Sequence, residues 1–488
     1  MFTAMVSRSP VGGLKQRYRE VVDAVASTLC PDWDRFHQYM AKPGKESDLF
    51  YEDDDDPFLN VYRRDIPNAI QTWREKAENL LTQYPLHPKV QWFFDTFVGQ
   101  YGHSSPMELT GSPTIGVEGV SWFTAWLLFD SPLVAGQEFS TRAVRRVDWP
   151  MAREAMGFPV LQKLHEEWLT VYEAEVAWWT NHLSDASNRA ALGIADKEPF
   201  RPALDRARWA LPGTFATGAS FASHLRERAR VLRDAAALNK SAPTPVWADI
   251  EKAYRFAVPG LAGYGLREAV VGAERDLPGH LENTLFPVPR VNHASGIQLD
   301  IRTMDWGDDE PPVSPYKRKN KRSYADPWFN RSVRVRLNIE CSIAAARDWH
   351  RHRTLYPWHM GVVCENSTLQ LDRRYEPKSD IAIERTANLL ARAYAAYAEF
   401  KSQGDVERAA LALPMGTRVV MSGAGGLRDV LYALELRAHA HGANFEYKEQ
   451  AKAALYMLDV RSRMAWVPGL VSEPTVWEAV GALAHDQK

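Results

Sequence analysis

Two stretches of this chain repeat each other in order and in spacing. Val117-Glu118-Gly119-Val120-Ser121 leads into one apolar run, and Ile339-Glu340-Cys341-Ser342 leads into another. Farther along, Leu211-Pro212 is followed by Arg226 fourteen residues after the proline, and Leu413-Pro414 is followed by Arg428 at the same distance. Single apolar matches arise by chance, but an ordered pair sharing one spacing points to a duplicated unit, which has to be recognised before any fold is assigned. The length agrees: 488 residues exceed the roughly 250–300 at which one hydrophobic core stops growing, so two units are expected.

Periodicity sets the coarse architecture. Residues 113–121 alternate and carry β-branched side chains, as a strand does, and run into the apolar segment at Trp122. Residues 160–183 have unbroken helical character, and a helix pair is expected over about 203–238. In the second half, 333–339 reads as a half-buried strand and 342–350 as a helix. Further helices are expected over 381–400, 428–441 and 446–458, broken by Pro414 and by Gly423, Gly425 and Gly426, which read as a turn leading into a helix. Residues 11–97 also have helical spacing. The expected fold is α+β: two tandem related domains, each a sheet flanked by long helices, with a helical N-terminal region over about 1–96. The halves are 1–285 and 331–488, and 286–330 is a linker or inserted loop.

Composition removes several classes of function. With 45% hydrophobic and 25% charged residues the chain is not disordered, and a net charge of -2 provides no field to attract a polyanion. The basic run Lys317-Arg318-Lys319-Asn320-Lys321-Arg322 lacks interleaved stacking aromatics, so nucleic acid is not the expected partner. The acidic run 52–56 reads as a solvated loop. Cys30, Cys341 and Cys364 are too few and too scattered for a disulfide framework, which suits a reducing, cytoplasmic setting. The longest strongly apolar run, 122–129, is far short of the roughly 20 residues needed to span a bilayer.

The densest cationic cluster is His350-Arg351-His352-Arg353. Arginine offers a charged fork to phosphate or carboxylate and histidine a switchable donor, so the cluster suits a phosphorylated ligand. A zinc reading of His350, His352 and His359 lacks a carboxylate or thiolate at a recognised spacing, and no metal is expected. The alternative is a basic helix end favoured by its dipole. In the first half the corresponding place holds Asp130-Ser131-Pro132, followed by Glu138-Phe139-Ser140-Thr141-Arg142, with Gly102-His103-Ser104-Ser105-Pro106-Met107-Glu108 upstream. Trp122, Trp126, Trp178 and Trp179 read as buried packing rather than a stacking platform, and Cys341 and Cys364 as bystanders.

Together these motifs resemble the flavin-dependent thymidylate synthases. That family carries a Gly-His-x-Ser-Pro-x-Glu segment, an Ile-Glu-Gly-Val-Ser strand end, and Arg-His-Arg followed by Ser, Glu, Ser and Arg. The first half matches at 102–108, 117–121 and 138–142, and the second at 339–342 and 351–353. Ser121 and Asp130 are nine residues apart, as are Ser342 and Arg351. Downstream, Arg208, Pro212 and Arg226 match in one half and Pro414, Arg428, Arg437 and His441 in the other. Each half is incomplete: the first lacks Arg-His-Arg, and the second has Tyr356, His359, Gly361 and Val363 in place of Ser, Glu, Ser and Arg.

The resemblance implies one-carbon transfer to C5 of a pyrimidine deoxynucleotide, dUMP to dTMP in type, using FAD, NADPH and methylenetetrahydrofolate. It implies nucleotide-binding roles for Glu138, Ser140, Arg142, Arg208 and Arg437, and cofactor-binding roles for His103, Ser105, Arg351, His352, Arg353, Arg428 and His441. Arg437 and Arg351 are the implied catalytic residues, Arg437 stabilising charge that develops on the uracil. A homodimer standing in for the family's tetramer follows, with no membrane partner. Asp348 and Tyr356, where the family has Gln and Ser, motivate 5-hydroxymethylation as an alternative, and the incomplete motifs motivate a silent nucleotide- or FAD-binding scaffold.

Overall fold

The computed structural model describes residues 92–93, 95–100, 114–138, 141, 149–194, 199–224, 226–227, 246–250, 288, 291, 296–303, 333–365, 368–438 and 444–461. The expected helical extension lies outside these except for a short π-helical stretch at Asp95–Gln100. The acidic and basic runs and Cys30 also lie outside them. The fold is mixed helix and sheet, α+β as expected. Two compact units form, and neither is continuous in sequence. The second gathers Gly119–Pro132, Glu138–Thr217 and Leu277–Lys488, from both sides of the expected linker.

In the first half, β1 (Thr114–Ser121) passes directly into α1 (Trp122–Phe129). The Ser121 side chain accepts a hydrogen bond from the Thr124 N–H and caps the helix. All eight residues of α1 are buried, Trp122 and Trp126 among them, as packing predicts; Trp178 is half-buried and stacks on His182 at 4.8 Å. β2 (Ala135–Glu138) follows, then the long α2 (Pro159–Ser184), which buries Leu161, Leu164, Trp168, Val171 and Trp179. α3 (Ala186–Ala191) and α4 (Phe200–Ala207) precede β3 (Ala216–Ala222), and a three-stranded sheet runs β1-β3-β2. Of the helix pair expected over 203–238, residues 216–222 form a strand instead, and residues 225 and 228–238 lie outside the described residues. Leu211-Pro212-Gly213 ends the helical stretch, and the small and β-branched residues beyond it extend.

A similar strand-to-helix joint is built in the second half. β4 (Ile297–Thr303) pairs with β5 (Val333–Ser342), whose Val333, Val335, Leu337 and Ile339 are buried while Arg334 and Arg336 face solvent. β5 passes directly into α5 (Ile343–His350). Beyond it come β6 (His359–Val362), the small ribbon β7 (Cys364–Glu365) and β8 (Thr368–Leu369), α6 (Asp380–Ser402) and α7 (Val406–Ala412). The chain finishes with β9 (Arg418–Gly426), α8 (Leu427–Ala438) and α9 (Phe445–Arg461). The antiparallel sheet order is β4-β5-β9-β6. The glycine cluster is thus the end of a central strand, not the turn expected from its composition.

The two proline segments meet. The Met415 N–H donates to the Leu211 carbonyl at 2.9 Å and the Gly416 N–H to the Trp209 carbonyl at 2.7 Å. A Cβ on Gly213 would lie 2.0 Å from the Leu413 carbonyl oxygen, so the backbones can approach this closely only at glycine. Equivalent bridges flank the crossing, Met151 to Phe215 and Leu371 to Thr417, each three residues after its proline. α2 and α6 pack against each other. Glu175, fully buried on α2, accepts from the Lys378 and Ser379 N–H groups at 2.8 and 2.7 Å at the start of α6, answering donors that no helix can satisfy internally.

A second buried acid shapes the pH response of the fold. Thr124 on α1 lies between two carboxyl groups, with its hydroxyl 2.5 Å from Glu154 and 3.1 Å from Glu407. One hydroxyl has one hydrogen, so it donates to one carboxylate and accepts from the other group in its protonated form. Burial and the neighbouring Glu154 push the Glu407 carboxyl up to about 8. A carboxyl raised on folding stabilises the fold in its protonated form, so this contribution is lost as pH climbs from about 4 to about 8. Glu407→Gln keeps the shape and removes the titration. Chemical unfolding of the variant is expected to match wild type near pH 5 and to exceed it by a few kcal/mol, on the order of 3, at pH 8.5. Parallel curves across that range would show that Glu407 is already ionised at pH 5.

Candidate functional site

The site is assembled at the C-terminal end of α5. The helix starts where the Ser342 hydroxyl accepts from the Ala345 N–H at 3.1 Å. Glu446, at the start of α9, fixes that cap by accepting from the Ser342 N–H at 2.6 Å, its hydroxyl at 2.8 Å and the Tyr375 hydroxyl at 2.8 Å. Every residue of α5 is buried, including Arg347, Asp348 and His350, and ionisable groups reach such positions only when paired.

Each of the three has a partner from the first repeat. Arg347 is hydrogen-bonded to Glu138 and lies over the Phe215 ring at 5.2 Å. Asp348 accepts from Arg208 at 3.1 Å. His350 stacks on Trp126 at 3.8 Å, with its Nε2 3.4 Å from Asp130. At these contacts residues of the expected first half lie against the helix that leads into Arg351-His352-Arg353.

Past the helix, Arg351 is exposed and Arg353 half-buried, with the Arg353 guanidinium 5.9 Å from the Phe129 ring. Between them, His352 turns inward, and its Nε2 receives the Nε–H of Arg437 at 2.9 Å. Burial first, then the positive charges of Arg437 and Arg351, hold the His352 imidazole well below its ordinary value, so it is neutral. Arg437 also donates to the Asp348 carbonyl at 2.5 Å and to the Tyr447 hydroxyl at 3.3 Å, with the Tyr447 ring 5.0 Å away. Arg428 opens α8 and is half-buried; Tyr432, one turn on, is 39% exposed with its ring edge-on to His352 at 6.5 Å.

The loop after the basic cluster is held down by the glycines of β9. Trp358 packs on Gly423, where a Cβ would come within 2.5 Å of the indole, and Leu355 packs on Gly425, where one would come within 2.4 Å. Trp358 also donates to the His352 carbonyl at 3.2 Å.

Arg208 is fully buried, with Asp205 3.7 Å from its Nε and Glu446 3.9 Å from its Nη2 in addition to its bond with Asp348. Burial alone would lower its pKa, but these carboxylates, Asp348 foremost, hold it well above the ordinary value. Glu138 and Arg208 are therefore engaged in ion pairs with α5. Around the same Glu446, burial and the adjacent carboxylate push Asp372 up to about 7 against the pull of Arg374. Cys341 lies beside this group, and burial drives its thiol far up, leaving it protonated and without nucleophilic character.

Of the residues expected at the site, the structure brings together Arg351, His352, Arg353, Arg437, Arg208 and Glu138, and Arg428 stands half-buried at the start of α8. His103, Ser105, Ser140, Arg142 and His441 lie outside the described residues. Sequence reading missed Glu446, Tyr447, Trp358 and Tyr432. For Trp358 a signal exists, in that a run of glycines in a strand makes room for a large ring. Gly423→Ala is expected to push the indole off β9, costing about 1–3 kcal/mol in unfolding measurements and loosening the Arg-His-Arg loop, read as higher amide exchange over 351–358. Unchanged exchange would mean that Trp358 does not hold the loop.

No curated protein matches the chain. Residues 331–460 match the family described as thymidylate synthase complementing protein. The strand, helix, basic loop and Arg437 that make the second-repeat side of the site therefore all lie within a stretch similar to the flavin-dependent thymidylate synthase family.

Proposed function

We propose that this protein is a flavin-dependent one-carbon transferase of the thymidylate synthase type, acting at C5 of a pyrimidine deoxynucleotide. The observation that carries the reading is the Arg351-His352-Arg353 loop held against Arg437 within the stretch similar to that family. Two family-like halves, merged in one chain, share a single site: the second supplies the basic loop, and the first supplies Glu138, Arg208, Trp126 and Asp130 as its packing. A homodimer then takes the place of a tetramer.

The residues present fit an anionic aromatic cofactor such as FAD. Arg351, Arg353 and Arg428 supply cationic donors at the rim, and the exposed ring of Tyr432 supplies an apolar face beside them. When bound, FAD supplies the hydride, with methylenetetrahydrofolate as carbon donor and NADPH restoring the flavin. The chain's own part is placement. Arg351, Arg353 and Arg428 bind charge, and the buried α5 keeps water from the inner side. Arg437 supplies a fixed positive charge next to His352.

The pairing of Arg208 and Glu138 inside the protein favours a second reading, a nucleotide- or flavin-binding scaffold without turnover. Asp348, bonded to Arg208, equally marks a changed pocket that suits 5-hydroxymethylation. One experiment separates the three. Purified protein is loaded with FAD, freed of excess, and its absorbance followed on adding NADPH, methylenetetrahydrofolate and dUMP, with mass analysis of the nucleotide. Bleaching with a product of dTMP mass is expected; a hydroxymethyl product, or retained flavin that never turns over, would select one of the alternatives. Protein that retains no flavin would overturn the flavin reading.

A further inference from the structure

In the 351–353 loop Arg351 is exposed and Arg353 half-buried, and His352 between them is pinned by Arg437. We propose that Arg437 is a positioning residue that fixes His352 as its Nδ1–H tautomer, so that the ring offers one neutral N–H donor to a ring carbonyl of the ligand. This deepens the nucleotide and flavin reading above and rests on it for the class of ligand.

The tautomer follows from what each nitrogen can do. A guanidinium N–H only donates, so the His352 Nε2 that faces Arg437 Nε at 2.9 Å must present its lone pair. In a neutral imidazole the proton then sits on Nδ1. Arg437 cannot easily swing away, because its other nitrogens donate to the Asp348 carbonyl at 2.5 Å and the Tyr447 hydroxyl at 3.3 Å. Those two acceptors come from α5 and α9, and the guanidinium itself from α8, so three helices set its plane.

The charged groups around the ring agree. Arg437 on α8 and Arg351 beside it are positive, and the carboxylate of Asp348 on α5 is the opposing charge; Tyr432 and Tyr447 from α8 and α9 are neutral. A second proton on the imidazole would face a guanidinium at hydrogen-bond distance in a buried setting. Among the described residues, no protein acceptor for Nδ1–H is found, so the donor is left for a ligand.

A phosphate would be served better by the flanking Arg351 and Arg353, whose charge and donor fork suit it. A neutral N–H suits a carbonyl oxygen of the kind found in both a uracil and a flavin ring. The order of charge, neutral donor, charge along 351–353 thus matches a ligand with a polar ring next to an anionic arm.

The test is a long-range proton–nitrogen correlation spectrum of the full chain labelled with 15N-histidine, with H352Q used to identify the signal. The wild-type ring is expected to remain Nδ1–H from pH 8 to pH 5.5. In R437M it should exchange tautomers and titrate at a higher pH than in wild type, while burial and Arg351 still hold it below the ordinary value. Y447F, which removes one anchor of the guanidinium, should let the Nε2–H form appear even if R437M does not fold. Added FAD or dUMP is expected to move the Nδ1 signal and inorganic phosphate to leave it in place; whichever of the first two moves it identifies the ring that is bound. An Nε2–H ring in wild type, a wild-type titration near pH 6.5, variants indistinguishable from wild type, a shift with phosphate alone, or no shift with any probe would overturn the proposal. Loss of flavin binding sinks the function proposed above without touching the wild-type tautomer, whereas an Nε2–H ring in flavin-loaded protein sinks this proposal alone.

Discussion

Everything at the site depends on one short helix that carries ionisable groups into the interior. α5 has eight residues, and Arg347, Asp348 and His350 are all buried on it. A buried charge without a partner costs several kcal/mol, a large share of the roughly 5–15 kcal/mol by which a domain of ordinary size is stable. The helix can therefore exist only where Glu138, Arg208 and the Asp130–Trp126 pair are already in place to receive it. The consequence reaches past stability. The direction in which α5 ends determines where Arg351, His352 and Arg353 emerge, so Glu138, Arg208, Asp130 and Trp126 aim the basic loop without contributing the loop itself.

Glu446 holds the other end of that helix. It accepts from the Ser342 backbone and hydroxyl and from Tyr375, and has Arg374 and Arg208 within 4 Å. In the first half Glu154 accepts from the Ser121 N–H at 2.8 Å and from Thr124, the same service for α1 performed by a residue from a different part of the chain. Both joints thus solve the problem of turning a strand directly into a buried helix with a serine cap backed by a carboxylate. What differs is the other end of each helix: α1 stops at Asp130, which faces inward to His350, while α5 stops at Arg351, which faces solvent.

Much of this was legible in the sequence, and the parts that were not share a physical cause. The strand-to-helix joints at Ser121 and Ser342 and the long helices follow from period and from residues whose backbone preferences are local. The glycine cluster was misread because its meaning is not local. Gly423 and Gly425 lie in a central strand, and their lack of side chains makes room for Trp358 and Leu355, some seventy residues earlier. Glu446 and Tyr447 were invisible for a similar reason, since a glutamate and a tyrosine in an amphipathic stretch carry no sign of the buried polar partners waiting for them.

The same distinction bears on how motif resemblance should be read at this site. Arg208 occupies the place where an arginine for the ligand phosphate is implied, yet three carboxylates surround it within 4 Å, Asp348 closest. A dianion brought to that guanidinium would have to displace Asp348 into a setting already rich in negative charge. Among the described residues, the exposed Arg351 and the half-buried Arg353 face no carboxylate at the same range. Residue identity alone treats these arginines as equivalent donors. Their surroundings separate them into one that ties α5 to the first half and two that remain available to an anionic ligand at the end of that helix.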